Sequence, residues 1–179
     1  MAITLKGKQL YLRALEPEDL EFIHQIENDE ELWELSTTLT PYSRFIIKQY
    51  LKNVHRDIFE VKQLRLAICK IDTQEVLGMI DLYDYDPKHH RAGVGIIITS
   101  SAERGRGYGA EALQLITTYS FTHLDMHQLY ANILDGNDRS IKLFEKMNFK
   151  SVGVLKDWKR IRGSYKNEHL YQLINTDVH

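Results

Sequence analysis

The sequence has little of what disulfide scaffolds, membrane spans and basic nucleic-acid surfaces require. It contains a single cysteine, Cys69, which allows no internal disulfide and fits a reducing compartment. Its net charge of −2 argues against binding to nucleic acid through a strong overall basic field. No apolar run approaches the length of a membrane span, and the first residues lack the apolar centre of a signal peptide. We therefore expect a cytoplasmic protein without a nucleic-acid or membrane partner.

The residues that are present are typical of one globular domain. Hydrophobic residues make up 43% of the 179 positions and charged residues 27%, which is ordinary for a chain with a substantial core. The sequence contains no internal repeat, low-complexity segment or interdomain linker. We therefore expect residues 1–179 to form a single domain, with Cys69 as a buried strand residue rather than a nucleophile.

Hydrophobic periodicity predicts seven strands and about four helices. The strands are expected at 9–14, 64–71, 76–83, 92–99, 129–134, 150–158 and 167–174. Helices are expected at 17–28, 43–54 and 137–148, with one of about 16 residues after the fourth strand. Short links make most neighbouring strands antiparallel, whereas the helix between the fourth and fifth strands makes that pair parallel. The expected fold is mixed α/β, a mostly antiparallel twisted sheet with one parallel pair.

A turn dense in glycine and arginine follows the fourth strand. Gly105, Gly107 and Gly109 fall within five positions, beside Arg104 and Arg106. Glycine lets backbone N–H groups converge on a ligand, and the N-terminus of the next helix adds partial positive charge. The turn therefore predicts a pocket for a phosphorylated ligand.

Two common phosphate-binding loops fit this turn less well. A Walker-type loop ends in Gly-Lys-Ser/Thr, which is absent here. The spacing Gly105-x-Gly107-x-x-Ala110 matches a dinucleotide-binding fingerprint, and Asp135 follows the next strand. That fold needs further parallel strand–helix units, however, and only one helix and a strand pair follow Asp135.

The turn resembles the signature of one enzyme superfamily. The run from Arg104 to Gly109 resembles the Gln/Arg-x-x-Gly-x-Gly/Ala motif of the GCN5-related N-acetyltransferases, the GNAT superfamily. The order of elements is also similar. A strand is followed by the signature, a helix, a strand that contains Asn132, and a helix that begins at Asn137-x-x-Ser140. The segments 12–19 and 153–158 resemble the branch that holds ribosomal-protein N-terminal acetyltransferases and spermidine acetyltransferases.

The resemblance implies an acetyl-CoA-dependent N-acetyltransferase. The acceptor would be a primary amine, either a polyamine such as spermidine or a protein N-terminus, which attacks the thioester directly. A homodimer is possible, and no metal is implied. The residues that the resemblance places at acetyl-CoA are Ile96, Ile97, Ile98, Arg104, Gly105, Arg106, Gly107, Tyr108, Gly109, Ala110, Asn132, Asn137, Ser140 and Phe144.

Two catalytic side chains that are common in the family are missing. Many relatives carry a glutamate early in the fourth strand, where this chain has Gly93. Many also have a tyrosine in the last helix that protonates the leaving sulfur, and the matching residue here is Phe144, which has no proton to donate. A different hypothesis therefore stays open, that of a degenerate acyl-CoA-binding or sensor protein with little turnover.

Acetyl transfer needs a group that takes the proton of the attacking ammonium. For an amine like that of lysine, deprotonation near pH 7 costs about 5 kcal/mol, whereas departure of a thiolate costs only about 2 kcal/mol. Period-two alternation predicts that Asp81, Tyr83 and Tyr85 share one face of the third strand, with Asp84 on the other. We take Asp81 as the candidate base and Tyr83 as a second candidate catalytic residue. The alternative for Asp81 is a hydrogen-bonded strand carboxylate.

Histidines near the third strand could also accept a proton. His89 and His90 have suitable unperturbed pKa values, but the polar segment around them is typical of an exposed loop. They and the later pair His123 and His127 lack a third ligand at convincing spacing. We therefore expect no metal site.

The resemblance implies that the acceptor-side wall lies between the first two helices, where this sequence is acidic. Five carboxylates fall in positions 27–34, which would favour a cationic acceptor. Trp33 could pack on an alkylammonium chain. The candidate acceptor contacts are Glu30, Glu31, Trp33 and Tyr85, and the alternative for the acidic run is a solvated helix end.

Overall fold

The computed structural model describes residues 5–36 and 38–177. Within them, one seven-stranded mixed sheet has the order β1-β2-β3-β4-β5-β7-β6. The strands are β1 (Leu10–Ala14), β2 (Leu64–Lys70), β3 (Val76–Asp86), β4 (Arg91–Ile98), β5 (Gln128–Leu134), β6 (Lys150–Ile161) and β7 (Ser164–Ile174). The predicted mixed fold is confirmed, and the last two strands are longer than predicted.

Six α-helices lie in these described residues, where periodicity predicted about four. They are α1 (Leu20–Glu27), α2 (Glu30–Ser36), α3 (Arg44–Asn53), α4 (Ile58–Val61), α5 (Tyr108–Thr122) and α6 (Asp138–Lys146), with 3-10 turns at Pro17–Asp19 and Ser101–Glu103. The two helices that the sequence did not predict are α2, with seven residues, and α4, with four. Segments of one or two turns are too short to show a helical period. None of the helices in the described ranges is long and apolar enough to cross a membrane.

Side-chain caps explain where two of the predicted helices begin. The side chain of Ser43 accepts a hydrogen bond from Ile46 N at the start of α3, at 3.3 Å. Asn137 accepts in the same way from Ser140 N at the start of α6, also at 3.3 Å. Asn148 follows α6 with a φ of 67°, the left-handed conformation that ends helices. These three predictions are confirmed.

The parallel pair of β4 and β5 is confirmed, and it is short. Only Arg91↔Gln128, Ala92↔Leu129 and Gly93↔Tyr130 are paired. Beyond Gly93 a cavity lies between the two strands, lined by residues 94–97 of β4 and 131–134 of β5. The β5-facing edge of β4 therefore has no neighbouring strand over its second half.

Helices cover both faces of the sheet and bury two apolar clusters. On one face, Leu113 and Ile116 of α5 pack with β-strand residues and Phe149. On the other, Ile23 of α1 and Ile47 of α3 pack against β2 and β3. Cys69 is fully buried in this second cluster, so its predicted place in a strand interior is confirmed.

A bulge in β3 overturns one prediction about its faces. Asp84 has a φ of 48°, and the pairing with β4 shifts between Tyr83↔Gly93 and Asp86↔Arg91. The extra residue reverses the alternation of side chains after Asp84. Tyr85 consequently lies in the core on the other face, 5% exposed, with its ring 5.3 Å from that of Phe59. The prediction that Asp81, Tyr83 and Tyr85 share one face was therefore wrong for Tyr85.

Candidate active site

A cleft runs from the glycine-rich turn to the gap between β4 and β5. It consists of a groove along the turn and a deeper cavity between the strands. The residues that line both parts are Leu32, Leu35, Ile96, Ile97, Asn137 and Ser140. Because these six residues are shared, the groove and the cavity form one continuous cleft.

The glycine-rich turn has the geometry of an anion cradle. Gly105 and Gly107 have φ values of 78° and 83°, in the left-handed region that favours glycine. Gly107 caps α5, whose first backbone N–H groups have no partner within the helix. A Cβ added at either glycine would meet no atom within 4 Å, so the space above the turn is open. The residues present therefore fit the diphosphate of a coenzyme A molecule.

Charged side chains around the turn have different orientations. Arg104 lines the groove, and its Nε donates to Ile98 O at 3.1 Å, which ties the turn to the end of β4. Arg106 does not line the groove, and its Nη1 lies 3.7 Å from Glu103. Arg139 and Lys146 of α6, neither of which was predicted at the cofactor, also line the groove.

Of the two aromatic residues expected at acetyl-CoA, Phe144 is in the core and Tyr108 is half-buried. Tyr108 packs against the apolar cluster beside α5. Phe144 is 3% exposed, and its ring lies 5.0 Å from that of Phe149. Phe144 also lines the cavity, near Asn132, so it forms an apolar wall there. Its phenyl ring has no proton to donate to a leaving group.

A charged cluster lies at the other end of the cavity. Arg65 donates to both carboxylate oxygens of Asp81, at 2.7 and 2.8 Å, and to Glu27 at 3.2 Å. All three line the cavity together with Lys159, which lies 3.3 Å from the buried Glu168, so three carboxylates against two cations leave a net charge of −1. Burial lowers the pKa of Arg65, but the charge and hydrogen bonds of Asp81 outweigh that effect, so its pKa is raised. The guanidinium is therefore always charged, and the cavity attracts a cation.

Tyr83 occupies the space above Gly93. A Cβ added to Gly93 would lie 2.2 Å from Cε2 of the tyrosine ring. The ring also stands edge-on to Tyr130, with centroids 6.0 Å apart. Burial raises the pKa of Tyr83, nearby Tyr130 adds to the rise, and a hydrogen bond from the Asn132 backbone opposes it. The phenol therefore keeps its proton at neutral pH.

The predicted acceptor contacts lie outside the cavity. Glu30, Glu31 and Trp33 line a separate surface groove between α2 and residues 158–162, at the end of β6 and in the turn that follows it. The indole Nε1 of Trp33 donates to Glu27 O at 2.8 Å, and Arg162 lies 2.6 Å from Glu34 across that groove. Since Tyr85 is in the core, none of the four candidate contacts lines the cavity between β4 and β5.

Of the charged residues that line the cavity, Arg65 and Lys159 were not among the candidate acceptor contacts, whereas Glu27 belongs to the acidic run 27–34 that was predicted to favour a cationic acceptor. Arg65 is the direct strand partner of Asp81, so the register of β2 and β3 would have identified it. Lys159 lies 3.3 Å from the buried Glu168. The position of Lys159 at the cavity depends on bulges in β6, and these bulges have no signal in the sequence.

The histidines and the acidic residues form no metal site in the part of the chain that the structure describes. His89 and His90 are exposed, as predicted for a loop pair. Nδ1 of His90 lies 2.8 Å from Asp125 O, which joins that loop to the segment before β5.

Comparison with known proteins shows one consistent relationship. A family profile described as "Acetyltransferase (GNAT) domain" matches residues 9–150. The spermidine N(1)-acetyltransferase of Escherichia coli (strain K12) is 30% identical over 156 residues, which are 87% of this chain and 81% of the relative. An uncharacterized N-acetyltransferase of Bacillus licheniformis, p20, is 26% identical over 175 residues, which are 97% of each chain. The crystal structure of spermidine N-acetyltransferase from Vibrio cholerae in complex with CoA and spermine matches with a TM-score of 0.81 and 27% identity, over 94% of this chain and 96% of that chain.

Proposed function

The chain belongs to the GNAT family of acetyltransferases, and from this premise we propose that it transfers the acetyl group of acetyl-CoA to a primary amine. The observation that carries the proposal is the continuous cleft, which joins a glycine cradle for a diphosphate to a cavity with net negative charge. The two ends of the cleft match the two substrates. An anionic donor suits the turn, and a cationic amine suits the cavity.

The donor would lie along the turn and β4. When bound, acetyl-CoA supplies an acetyl thioester that an amine can attack. The backbone N–H groups at the start of α5 and the guanidinium of Arg104 would hold its diphosphate. The unpaired edge of β4 at residues 96–98 would hold the rest of the molecule through backbone groups, and the wall formed by Phe144 would exclude water.

The acceptor would enter the cavity beside the charged cluster of Glu27, Arg65 and Asp81. The net negative charge there favours an ammonium group over a neutral or anionic one. The named activities of the relatives support a polyamine such as spermidine, and a protein N-terminus is the other primary amine of the same charge. Both acceptors would present one ammonium to the cluster.

The proton of that ammonium needs an acceptor in the cavity. Among the described residues, Asp81 and Glu27 are the two carboxylates that line it, and each binds Arg65. In the proposed step the ammonium first gives one proton to a carboxylate, directly or through water, and the free amine nitrogen then bonds to the acetyl carbon. The carbon–sulfur bond breaks, its electron pair leaves with sulfur as the thiolate, and the nitrogen's second proton passes to solvent. Phe144 supplies no proton to sulfur, and an unassisted thiolate costs only about 2 kcal/mol near pH 7.

The test is steady-state release of free CoA thiol with a panel of acceptors. The panel contains spermidine, spermine and short peptides with a free N-terminus. Turnover with at least one of them is the expected result. Tight binding of acetyl-CoA without turnover across the whole panel would instead favour the acyl-CoA-binding protein, the hypothesis that Gly93 and Phe144 keep open.

A further inference from the structure

The cofactor groove contains one acidic side chain, Glu103, among the described residues that line it. Glu103 ends the 3-10 turn that precedes the glycine-rich turn, and it lines the groove next to Arg104 and Gly105. A carboxylate at this place repels a diphosphate unless cations neutralise it. The charge of Glu103 therefore opposes the ligand that the groove is proposed to bind.

Two positively charged side chains contact the carboxylate of Glu103. Nζ of Lys70 lies 2.9 Å from its Oε1, and Nη1 of Arg106 lies 3.7 Å from its Oε2. The side chain of Glu103 is only 16% exposed, and its Oε2 is buried without a hydrogen bond. An ion pair that is shielded in this way is weakened little by dissolved salt.

The contact with Glu103 orients the Arg106 side chain away from the groove. Arg106 belongs to the signature that the family resemblance assigns to the diphosphate, yet its guanidinium is turned to Glu103 and does not line the groove. Its side chain is 59% exposed, so it is free to rotate toward a ligand. Lys70 is less free, because it also contacts Glu75 at 3.3 Å and lies 5.9 Å from the ring centroid of Tyr108.

We propose that Glu103 competes with the diphosphate of CoA for Arg106 and thereby lowers the affinity of the groove for CoA. In the free protein the carboxylate holds the guanidinium. Binding of CoA draws Arg106 to the diphosphate and leaves Glu103 with Lys70 alone. When CoA departs after the reaction, Arg106 returns to Glu103. The inference rests on the proposed function, since it requires CoA to bind in this groove.

The experiment is calorimetric titration of CoA into the wild type, Glu103→Gln and Glu75→Gln. Glutamine keeps the shape of the side chain and removes its charge. We expect Glu103→Gln to bind CoA about fivefold more tightly, the size of effect that one partly screened charge produces. Glu75→Gln is the matched control, because Glu75 also contacts Lys70 but does not line the groove. Its dissociation constant should stay within about twofold of the wild type.

Two further measurements separate a charge effect from a structural one. S-acetylpantetheine carries the thioester but no diphosphate, so its KM should be the same for the wild type and Glu103→Gln. Arg106→Gln should weaken CoA binding more in the Glu103→Gln background than in the wild type. In the Glu103→Gln variant no carboxylate holds Arg106, so its guanidinium can bind the diphosphate without first breaking an ion pair. Glu103→Ala serves as a second variant if Glu103→Gln lowers the melting temperature.

Equal or weaker CoA binding by both Glu103 variants would overturn the inference, and so would an equal gain for Glu75→Gln. If the wild type binds CoA and only these comparisons fail, the proposed function stands and the inference alone is lost. A wild type that binds neither CoA nor acetyl-CoA would overturn both together.

Discussion

At the scale of single residues, the ring of Tyr83 packs on Gly93 of β4 and occupies the space that a side chain at position 93 would need. The ring fills the volume next to the last residue pair of β4 and β5. Its contact with Tyr130 of β5 links β3 to β5 across β4. Gly93 is therefore required by space rather than by backbone conformation, since any Cβ would collide with an aromatic ring.

Gly93→Ala is predicted to destabilise the protein by about 1–3 kcal/mol, the usual cost of overpacking. The added Cβ would lie 2.2 Å from Tyr83, and the ring is held on its other side by Tyr130. Urea unfolding measures the difference. Gly95→Ala is the control, because its Cβ would lie 3.8 Å from the same ring, an ordinary contact. Equal stability of the two variants would show that the ring moves away freely.

Asp81 provides a second prediction at this scale. If Asp81 takes the amine proton, Asp81→Asn should lower kcat/KM by about 10²-fold or more and remove the acidic limb of the pH–rate profile. Glu27→Gln is the comparison, since Glu27 shares Arg65 and lines the same cavity. An Asp81→Asn variant that keeps the full wild-type profile would exclude Asp81 as the base. Loss of that limb in Glu27→Gln instead would transfer the role to Glu27.

At the scale of elements, the turn that begins α5 is the part of the site that can be tested most directly. Gly107→Glu is predicted to abolish CoA binding without unfolding the chain, because the new carboxylate would project into the open space above the turn. A fluorescence or calorimetric titration with CoA checks this, alongside a melting curve.

The matched control for Gly107→Glu is Gly163→Glu. Gly163 also has a positive φ, 84°, with no atom within 4 Å of an added Cβ, but it lies in the turn between β6 and β7. Both variants should show a similar small loss of stability from backbone strain, and only Gly107→Glu should lose CoA. Unchanged CoA affinity in Gly107→Glu would show that the diphosphate does not bind at the glycine-rich turn.

Elements were predictable where a local rule decides them. The caps at Ser43 and Asn137 and the left-handed Asn148 follow from the chemistry of their own side chains. The parallel pairing of β4 and β5 follows from the helical connection between them. The bulge at Asp84 was not predictable, because aspartate tolerates a positive φ without requiring it. That single residue decided on which face Tyr85 lies.

At the scale of the whole molecule, two parts of the sheet are joined by few direct contacts. Three residue pairs connect β4 to β5, whereas seven connect β5 to β7. A donor in the cleft would contact both sides of this junction, through residues 96–98 of β4 and through Asn137 and Ser140 near the start of α6. The ligand would therefore act as an additional link across the sheet.

CoA at 100 times its dissociation constant should raise the free energy of unfolding by about 2.7 kcal/mol. For a chain of this length, the melting temperature should then rise by about 5–10 °C. Calorimetric melting with and without CoA measures this.

A single transition in both samples would support the prediction that residues 1–179 form one domain, and two transitions in the free protein would contradict it. A homodimer stays a prediction, and sedimentation of the same samples would test it.

The candidate site was predictable at its cofactor end and not at its acceptor end. The cradle is continuous in sequence, from Arg104 to Gly109, so its spacing could be read directly. The charged side chains of the acceptor cavity come from α1, β2, β3 and β6, which are far apart in sequence, and only the folded sheet with its helices brings Glu27, Arg65 and Lys159 to one cavity. The acidic run of 27–34 pointed to the right region, but the turns of α2 direct most of its carboxylates to a different groove.

The collision between Tyr83 and any side chain at position 93 also limits how this sequence can change. A glutamate at position 93 could not be accommodated by one substitution, since its Cβ would first have to displace the ring. Shrinking Tyr83 beforehand would open a void beside Tyr130 while offering no new chemistry. Substitutions at the two positions are therefore expected to be tolerated as a pair rather than singly.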